Sequence, residues 1–373
     1  MTNKNFWLSL VLTLGLAVTT LGQTQATDAL EGLDPVMLVQ GKEAQGDLKI
    51  SVTRGQFRYL FASEANKTAF EKDPARYEIQ LGGACARMGA PTRGIADLYT
   101  VHNGRIYIFG SEGCKKLFVA APEKYLTPAR TAFNPTPEAS RKGQELLEKA
   151  VVALGGATKL DSLTSYHQQC VSAQTRGQNN ELEVKVQNDL LVAFPDRIRL
   201  GRAMPDFRDP AKMMQQTLVL LPGEEFGLGG PRGTFQVPTA ARELEENQLR
   251  QHPLFMLRER KQAGFKAAAL EAEKAGVERV AVEFKGEQYV FGIEAASGRV
   301  LSMSRKQRGR SGDFGELVQT FSDYRTVDGL MLPFKITATF NGQPWNEQSF
   351  VIETITLNGK IDPALFEKTQ VKQ

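Results

Sequence analysis

Two cysteines and one histidine are the residues of this chain whose types and spacing could do metal or redox chemistry. Cys85 and Cys114 lie 29 positions apart, and His102 falls between them. A thiol pair can close a disulfide, or it can supply part of a soft-metal site, which needs four ligands or three plus water. One interpretation of the sequence is therefore a metal site in which Cys85 and Cys114 bind the ion and His102 is the third ligand. A disulfide is the alternative, with His102 exposed in a His-Asn-Gly turn.

The rest of the sequence offers no catalytic constellation. The three histidines, His102, His167 and His252, show neither His-x-x-x-His nor His-Glu-x-x-His spacing. There is no Gly-x-Ser-x-Gly, and the glycine-rich stretch 227–233 lacks the Lys-Ser/Thr of a phosphate-binding loop. We therefore expect a binding protein and not an enzyme, with no cofactor other than the metal ion considered above.

The two cysteines belong to the second copy of an internal repeat. The segment that begins at Phe57 returns without a gap 48 positions later, at Arg105. The aligned identities are Tyr59/Tyr107, Phe61/Phe109, Ser63/Ser111, Glu64/Glu112, Lys67/Lys115, Phe70/Phe118, Pro74/Pro122 and Tyr77/Tyr125. Each copy predicts a short strand, a capping serine and a helix that ends before a proline. We expect Phe70, and Leu117 with Phe118, to face inward as core residues.

The repeat resembles the YHS family of small β-β-α modules, relatives of the metal-binding TRASH domains, over roughly residues 30–128. The likeness rests on the aromatic strand, Ser-Glu, the helix with Phe and Pro-x-x-Tyr, and on Asp34-Pro35-Val36 at the start of the first copy. The resemblance implies a cysteine at the module start and a Cys-x-x-Cys pair at the strand–helix junction in metal-binding relatives. Here Asp34 and Asn66 occupy these outer positions in the first copy, and Ser111 replaces one cysteine in the second. The implied metal site is therefore incomplete.

Residues 1–26 predict a secretory signal peptide. Lys4 precedes an apolar stretch from Phe6 to Leu21, and Thr24-Gln25-Ala26 has small residues where signal peptidase cleaves. An uncleaved anchor is the alternative. Export would place the protein in the periplasm or outside the cell, where disulfides form. The count of three cysteines is odd, and we expect Cys170 to be a buried small apolar residue.

The spacing of apolar residues changes along the chain, and this change predicts two domains. Residues 27–130 form the tandem domain, residues 131–140 a linker, and residues 141–373 a second domain, although Thr136-Pro137-Glu138 already has the pattern of a helix start. After Ser165 the apolar residues alternate, with hairpin turns such as Asn341-Gly342. The predicted fold class is α+β: tandem small β-β-α units, then a curved antiparallel β-sheet (half-barrel) closed by helices.

The second domain resembles the periplasmic lipoprotein carriers LolA and LolB over about residues 140–368. The likeness rests on Leu154-Gly155-Gly156 after the first helix, on the segment from Phe321 to Phe334, and on Ile355 to Asn358 followed by Asp362 to Phe366. The resemblance implies an apolar cavity between sheet and helices that holds acyl chains. An apolar ligand or a lipoprotein is then the expected partner.

The alternating strand positions supply a candidate lining for such a cavity. The predicted pocket residues are Leu182, Val184, Val282, Phe284, Met303 and Phe340. The alternative is that the same side chains interdigitate into a solid core. A metal-handling protein that uses the YHS-like module is the alternative function, and the sequence leaves the oligomeric state open.

We expect the charged segments of the chain to be exposed to solvent. The net charge of +4 is spread along the chain and no nucleic-acid motif occurs, so we expect no nucleic-acid partner. The basic run from Arg305 to Arg310 predicts a solvated hairpin end, with peripheral contact to anionic lipid as the alternative. Glu243, Glu245 and Glu246 predict an exposed helix face.

Overall fold

The computed structural model describes residues 26–127, 132–176, 182–206, 209, 211–229, 234–237, 240–309 and 311–367. Residues 1–25 of the predicted signal peptide lie outside the described part of the chain. Across the described ranges, no helix is long and apolar enough to cross a membrane.

The N-terminal part contains two units of the same construction. Its elements are β1 (Thr27–Asp28), α1 (Pro35–Val39), β2 (Asp47–Arg54), β3 (Phe57–Phe61), α2 (Glu64–Lys72), α3 (Pro74–Tyr77), β4 (Ala84–Cys85), β5 (Gly89–Arg93), β6 (Ile95–His102), β7 (Arg105–Phe109) and α4 (Glu112–Ala120), with 3-10 turns at Leu30–Gly32, Leu81–Gly83 and Pro122–Lys124. The strands β2 and β3 and the helix α2 recur 48 positions later as β6, β7 and α4 with the same lengths. The predicted β-β-α repeat is therefore confirmed; we call residues 27–77 repeat unit 1 and residues 79–125 repeat unit 2.

One phenylalanine from the helix fills the core of each unit. The Phe70 ring lies 4.9 Å from that of Tyr59, and the Phe118 ring lies 5.4 Å from that of Tyr107. Phe70 and Phe118 are both 0% exposed, as predicted. The prediction for Leu117 is wrong, because its side chain is 46% exposed. Successive helical residues point about 100° apart, so only Phe118 of this pair can face the sheet.

The same backbone turn also occurs near the start of each unit, and the two turns are 51 residues apart. Leu30 and Leu81 both have positive φ, 62° and 58°, and each begins a left-handed 3-10 turn. The amide of Ala29 donates to the carbonyl of Arg58 at 3.0 Å, and the amide of Gln80 donates to the carbonyl of Ile106 at 2.9 Å. This turn brings Asp34 of unit 1 and Cys85 of unit 2 to equivalent positions.

The C-terminal part, which we call the sheet domain, runs from residue 137 to residue 367. Its helices are α5 (Pro137–Leu154), α6 (Ala157–Asp161), α7 (Ala240–Leu249) and α8 (Pro253–Glu259), with 3-10 turns at Asn346–Gln348 and Pro363–Phe366. Its strands are β8 (Ser165–Arg176), β9 (Leu182–Ala193), β10 (Arg197–Pro205), β11 (Met213–Leu221), β12 (Glu224–Gly229), β13 (Thr234–Gln236), β14 (Lys266–Lys274), β15 (Val277–Phe284), β16 (Glu287–Glu294), β17 (Val300–Arg308), β18 (Phe314–Val327), β19 (Leu330–Phe340), β20 (Gln343–Pro344) and β21 (Phe350–Leu357). The helix α5 begins at Pro137, inside the stretch predicted as linker, because the Thr136 hydroxyl caps it by accepting from the Ala139 amide at 3.2 Å.

These strands form one open, curved antiparallel sheet, as the alternation predicts. The order is β13-β12-β11-β10-β9-β8-β21-β19-β18-β17-β16-β15-β14, with β20 beside β19. Two meanders therefore flank β21, which pairs with β8 on one side and β19 on the other. The last strand of the chain thus joins the two halves of the sheet.

The core of the sheet domain lies between this sheet and the helices α5, α6 and α8. Leu147, Val151, Leu254 and Met256 from the helices pack against the buried strand residues. Cys170 is one of these core residues, as predicted, and its burial raises the pKa of the thiol to about 11. The helix α5 approaches β14 so closely that a Cβ on Gly143 would lie 2.6 Å from the Ala268 Cα.

Candidate functional site

The structure brings two of the three predicted metal ligands together but not the third. Cys85 and Cys114 are neighbours in the core of repeat unit 2, and their thiols are free. His102 instead pairs with Glu123, at 3.2 Å between Nε2 and Oε1. Across the described ranges, no group of three or more His, Cys, Asp or Glu side chains could hold a metal ion. The two cysteines are therefore a thiol pair, and His102 is not a third ligand.

The environment of Cys114 favours its thiolate. Partial burial acts against ionisation, but hydrogen bonds from Ser111, Arg87 and Cys85 outweigh it and lower the pKa of Cys114. The Arg87 Nη1 atom lies 3.8 Å from the Cys114 sulfur. The amide of Cys114 donates to the Ser111 hydroxyl at 3.2 Å, because Ser111 is the N-cap of α4.

The described residues among the six predicted for the pocket do not line a common cavity. Val282, Phe284 and Met303 are at most 1% exposed and pack within the core. Val184 is buried on β9, in the other meander, and Phe340 is half-buried with its ring 5.1 Å from that of Trp345. The Leu182 side chain lies outside the described residues. The described five line neither of two large clefts that the described residues form.

The first of these clefts has a volume of about 740 Å³ and lies between the strands β8 to β10 and the segment 359–365. Its main polar feature is the Asp189 carboxylate, which contacts His167 Nε2 at 2.9 Å and accepts from Arg199 Nη1 at 3.2 Å. Asp189 thus has two side-chain partners in this cleft. We therefore regard this cleft as a paired polar surface of the sheet domain.

The second cleft, about 840 Å³, lies where repeat unit 2 meets the sheet domain, and we call it the interdomain cleft. Its apolar walls come from both sides: Leu81, Met88, Leu244, Val290, Phe314 and Trp345. The Arg308 Nη1 atom donates to the carbonyls of Arg87 and Gly312, each at 3.1 Å. This contact holds repeat unit 2 against the end of β17.

The predicted solvated hairpin end is in fact part of the floor of this cleft. The basic run continues β17, and Met303, Arg305 and Gln307 alternate on the buried face of that strand. Arg305 is 6% exposed and lies opposite Tyr289 of β16 in the ladder. The exposed prediction is therefore wrong for Arg305 and Gln307, since α7 and repeat unit 2 cover the strand. Glu243 is exposed as predicted. The prediction is wrong for the partly buried Glu245, which lines the cleft, and for the partly buried Glu246, which accepts from Arg242 at 3.2 Å and from Arg250 at 2.9 Å.

Several polar atoms of this floor lack hydrogen-bond partners among the described residues. They are Arg305 Nε and Nη2, Gln307 Oε1 and Arg308 Nη2. Loss of hydration lowers the pKa of Arg305, lowers that of Arg308 to about 10, and raises that of Glu245. A buried polar group without a partner is costly, so the cleft contains unsatisfied donor capacity.

A second buried arginine of the same domain, Arg250, has a hydrogen-bond partner at each guanidinium nitrogen. Arg250 is 3% exposed and donates to Glu246 at 2.9 Å, to Glu259 at 2.8 Å and to the Asn247 amide oxygen at 2.8 Å. These bonds tie α7 to α8. Arg250 therefore holds the fold together, while Arg305 has an edge with no such partners.

Sequence reasoning missed Arg305, although a signal existed. The prediction treated Arg305 to Arg310 as an exposed hairpin end, separate from the alternating strand residues that precede it, such as Met303. The alternation of that strand, continued two and four residues further, places Arg305 and Gln307 on the same face as Met303. The burial of that face depends on α7 and repeat unit 2, which are distant in sequence.

Comparisons with known proteins find only distant structural similarity. No protein-family model matches the chain, and no curated protein matches it. An outer membrane lipoprotein-sorting protein domain from Vibrio parahaemolyticus is 12% identical, covers 61% of this chain and 97% of its own, with a TM-score of 0.34. A LolA superfamily protein from Nitrosomonas europaea is 11% identical, with 60% and 97% covered and a TM-score of 0.35. A DUF1329 family protein from Desulfovibrio piger is 11% identical, with 60% and 96% covered and a TM-score of 0.29. Such values establish neither a family nor a function for this chain.

Proposed function

We propose that this protein is a non-enzymatic binding protein that takes an amphipathic ligand, an apolar chain with a polar head, in the interdomain cleft. The observation that carries the proposal is the cleft itself, about 840 Å³ with apolar walls and a few polar groups at its floor. Ligand sites typically have volumes of roughly 300–1,000 Å³ and this mixed lining. We propose an exported location as well, on the strength of the predicted signal peptide.

The position of the ligand follows from where the sheet is already covered. The helices α5 and α8 fill the concave face around Val282, Phe284 and Met303, so an apolar chain would have to displace close-packed side chains there. The interdomain cleft needs no such displacement. Leu244 of α7 and Trp345 line it from the sheet domain, and Met88 lines it from repeat unit 2.

The test is a calorimetric titration of the purified full chain with dodecanoic acid, dodecyl phosphate and dodecanol, each below its micelle concentration. We expect saturable binding of at least one of them. Trp345 lines the cleft, so its fluorescence should change on binding, and Trp345→Phe should abolish that change.

A matched pair of variants locates the ligand. Leu244→Phe adds volume at a wall of the cleft and should weaken binding by about tenfold or more, since overpacking costs about 1–3 kcal/mol. Leu48→Phe makes the same change at a residue that is 64% exposed on β2, and binding should be unaffected. A folded chain that binds none of the three amphiphiles would contradict the proposed function.

A further inference from the structure

We propose that Arg305 reads the head of the ligand: it binds an oxyanion, a carboxylate or a phosphate, through the Nε–Nη2 edge of its guanidinium. The inference deepens the proposed function, since it rests on the same cleft. Both Nε and Nη2 lack a hydrogen-bond partner among the described residues, and the side chain is 6% exposed on the floor of the cleft.

The two free donors have the geometry that an oxyanion requires. Nε and Nη2 lie side by side on one edge of the planar guanidinium, and two parallel N–H groups match the two oxygens of a carboxylate or phosphate. A lysine offers a single point charge in place of this fork. The unpartnered edge thus selects for a bidentate anion.

Within the part of the chain that the structure describes, the residues around Arg305 leave this edge without a hydrogen-bond partner. Tyr289, directly opposite in the ladder, donates its hydroxyl to the Asn247 amide oxygen at 3.2 Å. Glu245 and Glu287 act on Arg305 at longer range, and Arg250 adds repulsion. Because Arg250 has its own carboxylates, Glu246 and Glu259, those acids are already engaged.

The effect of a substitution on stability distinguishes a binding residue from a structural one. A buried charge without partners lowers stability, so removing it should be neutral or stabilising, whereas breaking a buried ion pair is strongly destabilising. Arg305→Met should therefore leave the melting temperature unchanged or raise it. Arg250→Met should lower it, because Glu246 and Glu259 lose their partner.

The binding experiment compares the full chain with Arg305→Met, Arg305→Lys and the control Lys335→Gln, which removes an exposed charge from β19, outside the cleft. Calorimetric probes are dodecanoic acid, dodecyl phosphate, dodecanol and inorganic phosphate. We expect both Arg305 variants to weaken binding of the acid or the alkyl phosphate by about tenfold or more, since a bond to a charged group contributes about 1.5–3 kcal/mol. Dodecanol binding should change by less than about twofold, as should all binding to Lys335→Gln, since neither comparison removes that bond.

Each outcome decides between the two proposals. Arg305 variants that bind the charged amphiphiles as tightly as the unmodified chain overturn the role of Arg305 and leave the amphipathic ligand standing. Inorganic phosphate binding that depends on Arg305, without binding of any amphiphile, supports the anion site and overturns the proposed function. If no probe binds the folded chain, both fall.

Discussion

In repeat unit 1, Asp34 and Asn66 stand where repeat unit 2 has Cys85 and Cys114. The Asp34 carboxylate is fully buried and accepts from the Asn66 side-chain amide at 2.7 Å. It also accepts from three backbone amides, those of Val36 at 2.8 Å, Met37 at 3.3 Å and Ala62 at 2.7 Å. In unit 2 the same two positions hold neighbouring thiols. One backbone therefore supports either a saturated polar contact or a reactive pair.

The difference follows what each unit contacts. Unit 1 uses Asp34 to join α1, α2 and the end of β3, and α1 has no counterpart in unit 2. Unit 2 instead presents the corresponding region to the sheet domain, where Arg308 contacts the Arg87 carbonyl. We infer that the shared aromatic core maintains the common fold of the two units. The position held by Asp34 in unit 1 and by Cys85 in unit 2 can therefore differ between the copies.

The largest expected effect tests the shared core. Phe70→Ala and Phe118→Ala should each lower the free energy of unfolding by about 3–5 kcal/mol, because both rings are completely buried. Denaturant unfolding of the full chain measures both. A cost for one variant that is less than about half the cost for the other would show that the two cores are not energetically equivalent.

The next effect separates Asp34 from Cys85. Asp34→Ala leaves buried backbone amides without an acceptor and should cost about 3 kcal/mol. Cys85→Ala removes one buried sulfur and should cost about 1 kcal/mol. Equal losses in denaturant unfolding would contradict the view that Asp34 is the structural member of the pair.

Local chemistry made much of this fold predictable. Ser63 and Ser111 are N-caps, the aromatic residues of β3 and β7 are buried, and the alternating segments after Ser165 are strands. In each case a short stretch determines the outcome through hydrogen bonds or periodicity. The turns at Leu30 and Leu81 were not predicted, because a leucine with positive φ has no sequence signature.

Other features depend on residues that are distant in sequence. The strand β14 is rich in alanine, a strong helix former, and its small side chains instead allow α5 to approach at Gly143. Arg305 is buried because α7 and repeat unit 2 come to lie over β17. A basic run has no pattern that reveals such a cover, so the candidate site needed the structure.

A smaller, symmetric effect is expected at the caps. The Ser63 hydroxyl accepts from the Asn66 amide and the Ser111 hydroxyl accepts from the Cys114 amide, both at 3.2 Å. Ser63→Ala and Ser111→Ala should therefore each cost about 1 kcal/mol. Thermal unfolding measures the pair, and a loss confined to one unit would break the equivalence of the two helices.

The finest distinction concerns thiol chemistry, which only unit 2 has. Burial opposes ionisation of Cys114, but the bonds from Ser111, Arg87 and Cys85 prevail and lower its pKa, so more thiolate is present at neutral pH than for an ordinary thiol. Cys170 is the internal reference, since burial raises the pKa of its thiol to about 11. We expect iodoacetamide to modify Cys114 well before Cys170.

The rate of that modification should fall as the pH drops through the lowered pKa, because the thiolate is the nucleophile. Arg87→Gln removes a positive charge beside Cys114 and should move the midpoint of the rate profile to higher pH, whereas Lys335→Gln should not. Peptide mapping by mass spectrometry gives the rate at each cysteine separately. If Arg87→Gln leaves the Cys114 profile unchanged, the cation does not activate the thiol. Unit 2 would then hold a thiol whose ionisation does not depend on the neighbouring guanidinium.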